Sequence, residues 1–457
     1  MSELGDEAVE QLRALLRIDT TNPPGNETAA AEYMAGLLAA AGLAPTLIGE
    51  TPDRKNVIAR LEGSGEKAPL LLCAHLDVVP AEPESWTHPP FGGEIHDGYI
   101  WGRGAIDMKH MAVMSALVVA RLKREGVKTV RDVIFAGVAD EEAGCDHGSR
   151  WLVDNHPELV RAEYALGEAG GFSVRMNGRV IYPIQVAEKG AVWMKLRATG
   201  RPGHGSMPRE NNAVARIGAA VAKLAATRLP QHRTAVVDRY LRAVAKAQPF
   251  PASALLPRMH HRAVANFLLK QIPDKGVAAA MAAVLSNTAV PTVLRGGGKT
   301  NVIPGFAEAW VDGRSLPGQS AADLVREIHD VIGHDVEIAV ERDMPPVEID
   351  PQSPLWDTMV AALKRHDPEG VPVPYLAPGF TDAKSWSRLG TRCYGFMPVR
   401  FPDDGTRFAD LFHGHDERIP VEGLKWGVQV LYDVVRAFAT DTAIAAGPPI
   451  ADPPISA

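Results

Sequence analysis

Cysteine is scarce: Cys73, Cys145 and Cys393 are all that 457 residues contain, and they lie far apart. Three scattered thiols make neither a disulfide framework nor a cysteine-rich zinc knuckle, and they fit a reducing cytosol. Excess positive charge is absent too. Lys and Arg number 48 against 55 Asp and Glu, a net charge of −7 with a pI of about 6.1, so no basic footprint for nucleic acid exists. No apolar run reaches the roughly 20 residues that cross a bilayer. The N-terminus is acidic and amphipathic where a secretory signal would be basic and apolar. The expectation is a soluble cytoplasmic protein with no nucleic-acid or membrane partner. Its length exceeds what one hydrophobic core supports, so two domains are expected.

What is present is a succession of short apolar runs. Ala8–Arg17 and Thr28–Ala41 carry helical periodicity, the second stopping at Gly42 as a C-cap would. Val57–Leu61, Pro69–Ala74, Val133–Val138 and Tyr164–Leu166 read as buried strands, with helices over Met111–Arg124 and Ser149–Asn155 between them. That alternation predicts an α/β fold, a mostly parallel sheet with helices on both faces. From Ala191 the pattern changes. Val192–Ala198, Ala307–Val311 and Val336–Val340 read as strands, Ala213–Ala226 and Ser320–Ile332 as helices, together a smaller α+β domain. The segment from about Thr227 to Arg295 is irregular, a lid extension. After Leu355 the α/β pattern resumes and closes with a helix over Val421–Ala439. The expected layout is 1–189 and 349–440 as one catalytic domain, 190–348 as an insertion, and 441–457 as a disordered tail.

Chemistry-bearing residues gather where the apolar runs stop. Leu70-Leu-Leu-Cys-Ala-His75-Leu-Asp77 ends a buried run with a His and an Asp two residues apart, which in extended chain point the same way. A carboxylate that orients an imidazole is the usual support of a metal-bound histidine. Gly102-Arg-Gly-Ala-Ile-Asp107-Met-Lys109 presents an acid at a tight turn, Val133–Val138 runs into Asp140-Glu141-Glu142, and Tyr164-Ala-Leu-Gly ends in Glu168. Phe412-His413-Gly-His415 adds imidazoles near the C-terminus. Singly, each has a plainer reading: Asp107 as a helix cap, the acids as solvated loop residues, His75 as a satisfied strand-end histidine. Jointly, two histidines and several carboxylates without cysteine suit borderline-hard divalent metals, and exceed what one ion needs.

This set resembles the aminoacylase/carboxypeptidase family of dinuclear zinc hydrolases, which includes acetylornithine deacetylase, succinyl-diaminopimelate desuccinylase, glutamate carboxypeptidase and cytosolic dipeptidases. The likeness runs from about Leu12 to Ala439. It implies that His75, Asp107 and Glu168 hold one Zn²⁺ and that Asp107, Glu142 and His413 hold the other, with Asp107 bridging; Co²⁺ or Mn²⁺ suits the same ligands. It further implies that Asp77 orients His75 and that Glu141 is the general acid/base. Gly203-His204-Gly-Ser-Met-Pro208 resembles the lid motif whose His stabilises the oxyanion, in dimers across the subunit boundary. Asn301, Arg314, Gly379 and Thr381 match positions that hold the substrate's carboxylate end. Two departures stand out: Lys384 where the family often has Arg, and His110 where it has a small residue.

The implied activity is cleavage of an amide in a small carboxylate-bearing substrate, a short peptide or an N-acyl amino acid, by a homodimer joined through its lid. A ureido or carbamoyl amidohydrolase with the same site is one alternative. A non-catalytic zinc-dependent peptide or amino-acid sensor is another, although it has no use for Glu141. Other signals carry less. Gly296–Thr300 imitates a P-loop tail, but Val293 stands where its first Gly belongs. His260-His261 reads as surface, and Asn22-Pro-Pro-Gly25 as a turn after the first helix.

Overall fold

The computed structural model describes residues 3–272 and 275–444. The tail expected over 441–457 lies outside the described residues from 445 onward. Two compact units are present. One comprises Met1–Val186, Ile349–Tyr375 and Thr381–Ala457; the other comprises Ala187–Glu348 and Leu376–Phe380.

The first unit is built on a mixed sheet whose centre is parallel. Leu70–His75 lies between Val133–Val138 and Tyr164–Gly167, parallel to both, and Arg392–Gly395 extends the parallel run beside Tyr164–Gly167. Outside this centre the pairing turns antiparallel, Asn56–Leu61 against Val133–Val138 on one side and Arg179–Glu188 against Arg392–Gly395 on the other. Central strands read as unbroken apolar runs because both faces are covered. Leu71, Cys73, Ile134, Ala136, Val138 and Ala165 pack on one face against Leu152, Val153 and Trp386. Their alternate neighbours face the helix Lys109–Arg124. That helix is buried nearly all round, from Lys109 to Ala120, which explains its apolar sequence without a polar stripe. The terminal helices Glu3–Leu16 and Val421–Thr440 pack on each other and on it.

The second unit is a four-stranded antiparallel sheet in the order Thr288–Gly296, Phe306–Ser315, Gly190–Thr199, Glu337–Met344. Val192, Met194, Leu196 and Ala198 alternate inward with Ala307, Ala309 and Val311, and the helices Ala213–Ala226 and Ala321–Ile332 cover them. Both helices begin on side-chain caps, Asn212 and the Ser320–Asp323 capping box. The irregular segment expected from Thr227 to Arg295 is instead mostly helical, with helices over Ala235–Lys246, Arg262–Gln271 and Lys275–Ala283, and it ends in an edge strand. Pro291 hid that strand, because a proline argues against a central position yet is tolerated at an edge, where a register shift absorbs it.

Candidate metal centre

The adjacent parallel strands place their carboxyl ends side by side, where open α/β sheets collect ligands. His75, the Asp140–Glu142 run and Glu168 therefore meet. The turn from Gly102 brings in Asp107, and the loop before Arg418–Pro420 brings in His413. Asp140 and His413 hold left-handed backbone, φ 67° and 56°, which costs a non-glycine residue roughly 1–2 kcal/mol and persists only where the surroundings impose it.

Asp107 stands at the middle. Its Oδ1 lies 3.0 Å from His75 Nε2 and its Oδ2 2.9 Å from His413 Nε2, so one oxygen faces each imidazole. Glu168 Oε2 is 3.7 Å from His75 Nε2, and Glu142 Oε2 is 3.2 Å from His413 Nε2. Glu141 Oε2 is 4.0 Å from His75 Nε2. All of these residues except the half-exposed His413 have buried side chains.

The supports come from distant segments. His75 Nδ1 lies 2.9 Å from the Asp77 carbonyl and 3.5 Å from its carboxylate, so the Asp77 backbone is the closer constraint on the ring. The Asp77 carboxylate also holds the opposite wall: Oδ1 accepts from Glu141 N and Oδ2 from Glu142 N, both at 3.1 Å. Asn22 Nδ2 donates to Asp77 at 2.9 Å and to Asp140 at 3.0 Å. Arg54 pairs with Asp140 at 2.7 Å and with the buried Glu27 at 2.6 Å. Glu417 takes hydrogen bonds from Arg103 and from the backbone N–H of Gly104, Ile106 and Asp107, fixing the whole turn that presents Asp107. Lys109 Nζ bonds the carbonyls of Leu15 and Ile18 at the end of the first helix. In the sequence Asn22 reads as a plain turn residue, and neither Arg54 nor Glu417 carries a local signal of its role. A buried polar side chain must find a partner, but nothing local names a partner 55 or 313 residues away. Asp77→Ala is expected to lower metal affinity 10- to 100-fold, read by titration of the apoprotein with zinc. An unchanged affinity would show that the Asp77 carboxylate does not organise the centre.

Electrostatically the cluster is incomplete by itself. Burial, then the charge of Asp107, pushes Glu142 up to about 7; burial pushes Glu168 up to about 8. Glu141 is raised well above the carboxylate range by burial and then by Glu168. Burial opposes charge on His413, yet its bonds to Asp107 and Glu142 raise it to about 10. Glu142 Oε1 and Glu168 Oε1 are buried without hydrogen-bond partners. Buried unpaired acceptors, joined by imidazoles and no thiolate, are the donor set of a divalent cation.

Thr381, Asp382 and Trp386 line a small cavity of about 20 Å³ together with Glu168. The other residues expected at the substrate's carboxylate end belong to the second unit. There His204 pairs in strand with Val302, and the next residue, Gly205, donates to the Asn301 carbonyl at 2.8 Å. Arg314 grips Asp312 through Nε and Nη2 at 2.8 and 3.0 Å and stacks over Phe380, next to Gly379; its buried Nη1 has no partner.

His110 is fully buried with both ring nitrogens unpartnered, and burial lowers it to about 3. A neutral imidazole in this state costs roughly 1–3 kcal/mol. His110→Leu is expected to raise the thermal midpoint. The unfolded chain binds that proton near pH 6.5 and the folded chain only near 3, so native stability is lost as the pH is lowered through this interval. The variant's advantage should therefore grow from pH 6.5 downward; a constant or shrinking gap would contradict it.

Comparison with known proteins decides the family. The model for peptidase family M20/M25/M40 matches residues 71–437. The chain belongs to this family. As an M20 protein it is a hydrolytic metallopeptidase or amidohydrolase, and the family's metal dependence agrees with ligand-type atoms of His75, Asp107 and Glu142 lying within 4.8 Å of one another. It is 28% identical to the N-fatty-acyl-amino acid synthase/hydrolase PM20D1 of Xenopus tropicalis, covering 84% of this chain and 75% of that protein. It is 26% identical to aminoacylase-1 of Sus scrofa over 96% of both. In structure it resembles an M20 metallo-carboxypeptidase from Sulfolobus solfataricus (TM-score 0.72, 18% identity, 96% of this chain and all of that one). Human carnosine dipeptidase 1 has the same fold (TM-score 0.66, 16% identity, 95% and 96% covered). Among the described residues no helix is long and apolar enough to cross a membrane.

Proposed function

We propose that this M20 hydrolase is a dinuclear zinc enzyme that cleaves the amide bond of an N-acyl amino acid or short peptide carrying a free carboxylate. One observation carries the reading: Asp107 turns one oxygen to each of two imidazoles, the arrangement of a carboxylate shared by two ions. His75, Asp107 and Glu168 would hold one ion, and Asp107, Glu142 and His413 the other. When bound, such a pair supplies an acidified water and a polarised carbonyl oxygen.

The chain's own groups do the rest. Glu141 takes the proton of the attacking water and delivers it to the departing amine; its burial beside Glu168 favours holding that proton between the two steps. His204 is assigned to the developing oxyanion. Arg314, with one N–H of its fork unpartnered, is assigned to the substrate carboxylate together with Asn301, Gly379 and Thr381. The names of the sequence relatives favour the acyl-amino-acid side of this substrate class.

Dimerisation through the second unit is supported by its edge strand Thr288–Gly296, which exposes Val290 and Leu294 on an open sheet edge. Sedimentation showing a strict monomer would remove it. A cytosolic setting is supported by the three buried, unbridged cysteines.

The test of the activity is amine release from a panel of N-acyl amino acids, dipeptides and ureido acids by zinc-loaded protein. Turnover of the first two classes with silence on the third is the expected result. Turnover of the ureido class alone would reassign the bond cleaved, and a silent panel with metal bound would reject the hydrolytic reading.

A further inference from the structure

A second cluster of ligand-type side chains sits apart from the carboxylate centre, on a small hairpin of the first unit. The strands Glu94–His96 and Tyr99–Trp101 pair antiparallel, Glu94 opposite Trp101 and His96 opposite Tyr99. Glu94 and His96, two residues apart in extended chain, point to the same face. His96 Nε2 lies 2.8 Å from Glu94 Oε2. His88, from the preceding loop, lays its ring flat on His96, centroids 3.7 Å apart and planes within 2°, and meets the edge of Trp101 at 4.6 Å. The ligand-type atoms of His88, Glu94 and His96 all lie within 4.8 Å of one another.

We propose that His88, Glu94 and His96 form a third divalent-metal site, separate from the dinuclear centre and structural in role. Two imidazoles beside a carboxylate make a His₂–carboxylate set of the kind Zn²⁺ prefers. Tetrahedral bonds of roughly 2.0–2.2 Å to one ion place ligand atoms about 3.5 Å from each other. Binding therefore requires the His88 ring to turn out of its parallel stack on His96, a rotation open to a side chain at the surface. Solvent fills the remaining coordination position, so the site binds more weakly than a closed structural one.

Its location gives the ion something to hold. Thr87, next to His88, donates from N and Oγ1 to the Asp416 carboxylate at 2.7 and 2.8 Å, which ties the loop to the segment carrying His413. Trp101 pairs with Arg418, and Gly102 N donates to the Glu417 carbonyl at 3.0 Å. The Glu417 carboxylate in turn holds the turn of Asp107. An ion on His88, Glu94 and His96 therefore clips together the two segments that deliver Asp107 and His413.

The experiment is metal analysis of the full chain equilibrated with micromolar Zn²⁺. The expected result is three ions per native chain and two in both His96→Ala and the conservative Glu94→Gln. Turnover of the zinc-saturated variants should stay at the native level, while inactivation by a chelator becomes several-fold faster. Two ions in the native chain, or the same content in native and both variants, would overturn the third site. His75→Ala separates this from the dinuclear reading, since it should lose metal while keeping the hairpin ion. Cu²⁺ added to that variant should then show two-nitrogen hyperfine coupling, absent on further substitution of His96.

Discussion

Glu141→Gln is expected to lower turnover by about 10²- to 10⁴-fold, the usual worth of a positioned general acid/base, with metal content and fold retained. The argument rests on where Glu141 is held. Its backbone N–H is fixed by Asp77 at 3.1 Å, and its carboxylate reaches to 4.0 Å from His75 Nε2, farther than either Asp107 or Glu168. Gln keeps the shape and loses the proton site. Because Glu141 is assigned to proton transfer and not to substrate binding, the loss should fall on kcat with KM little changed. A parallel loss of metal would make Glu141 a ligand instead, and activity within tenfold of native would remove it from the reaction.

Asp107→Asn is the second large effect, and it reaches both ions at once. One Asp107 oxygen faces each imidazole, so a neutral amide, which offers one carbonyl oxygen and one N–H donor group, cannot serve both sides. Metal content is expected to fall well below two per chain at the carboxylate centre, and turnover to disappear within assay limits. Stability follows by mass action. Zinc at about 1,000 times its dissociation constant stabilises a folded chain by about 4 kcal/mol per site, and the zinc-induced rise in thermal midpoint should shrink accordingly in the variant. By contrast, Glu168→Gln touches one side of Asp107 and should cost one ion. If Asp107→Asn retains both ions, the shared-carboxylate reading is wrong.

The comparison of sequence with structure divides along contact range. Unbroken apolar runs such as Leu70–Leu72 and Val133–Val138 announced buried strands, because hydrophobic periodicity is a local property written over a few residues. The same runs announced the site, since each ends at the residue its strand presents: His75, Asp140 to Glu142, Glu168. Asp107 and His413 were legible from their motifs, although nothing in either motif says that His75 and His413 face opposite oxygens of the Asp107 carboxylate.

Local signals failed where a long connection closes. Asn22 reads as a turn and is a turn, yet its amide bridges Asp77 and Asp140 across 55 and 118 residues. The Asp77 carboxylate lies 3.5 Å from the imidazole two residues before it, and it also secures the backbone of Glu141 and Glu142, which no local pattern announces. Glu417 followed two histidines and drew no notice, while it fixes the Asp107 turn from more than 300 residues away. The segment after Thr227 concealed its helices because scattered prolines and short amphipathic stretches give weak periodicity, and packing, not propensity, stabilises such elements. The sequence by itself determined which residues end strands and what chemistry they carry. Only the tertiary structure decided which of them share a carboxylate and which merely hold it in place, because a buried polar group is satisfied by whatever the fold brings near, and chain separation does not enter that balance.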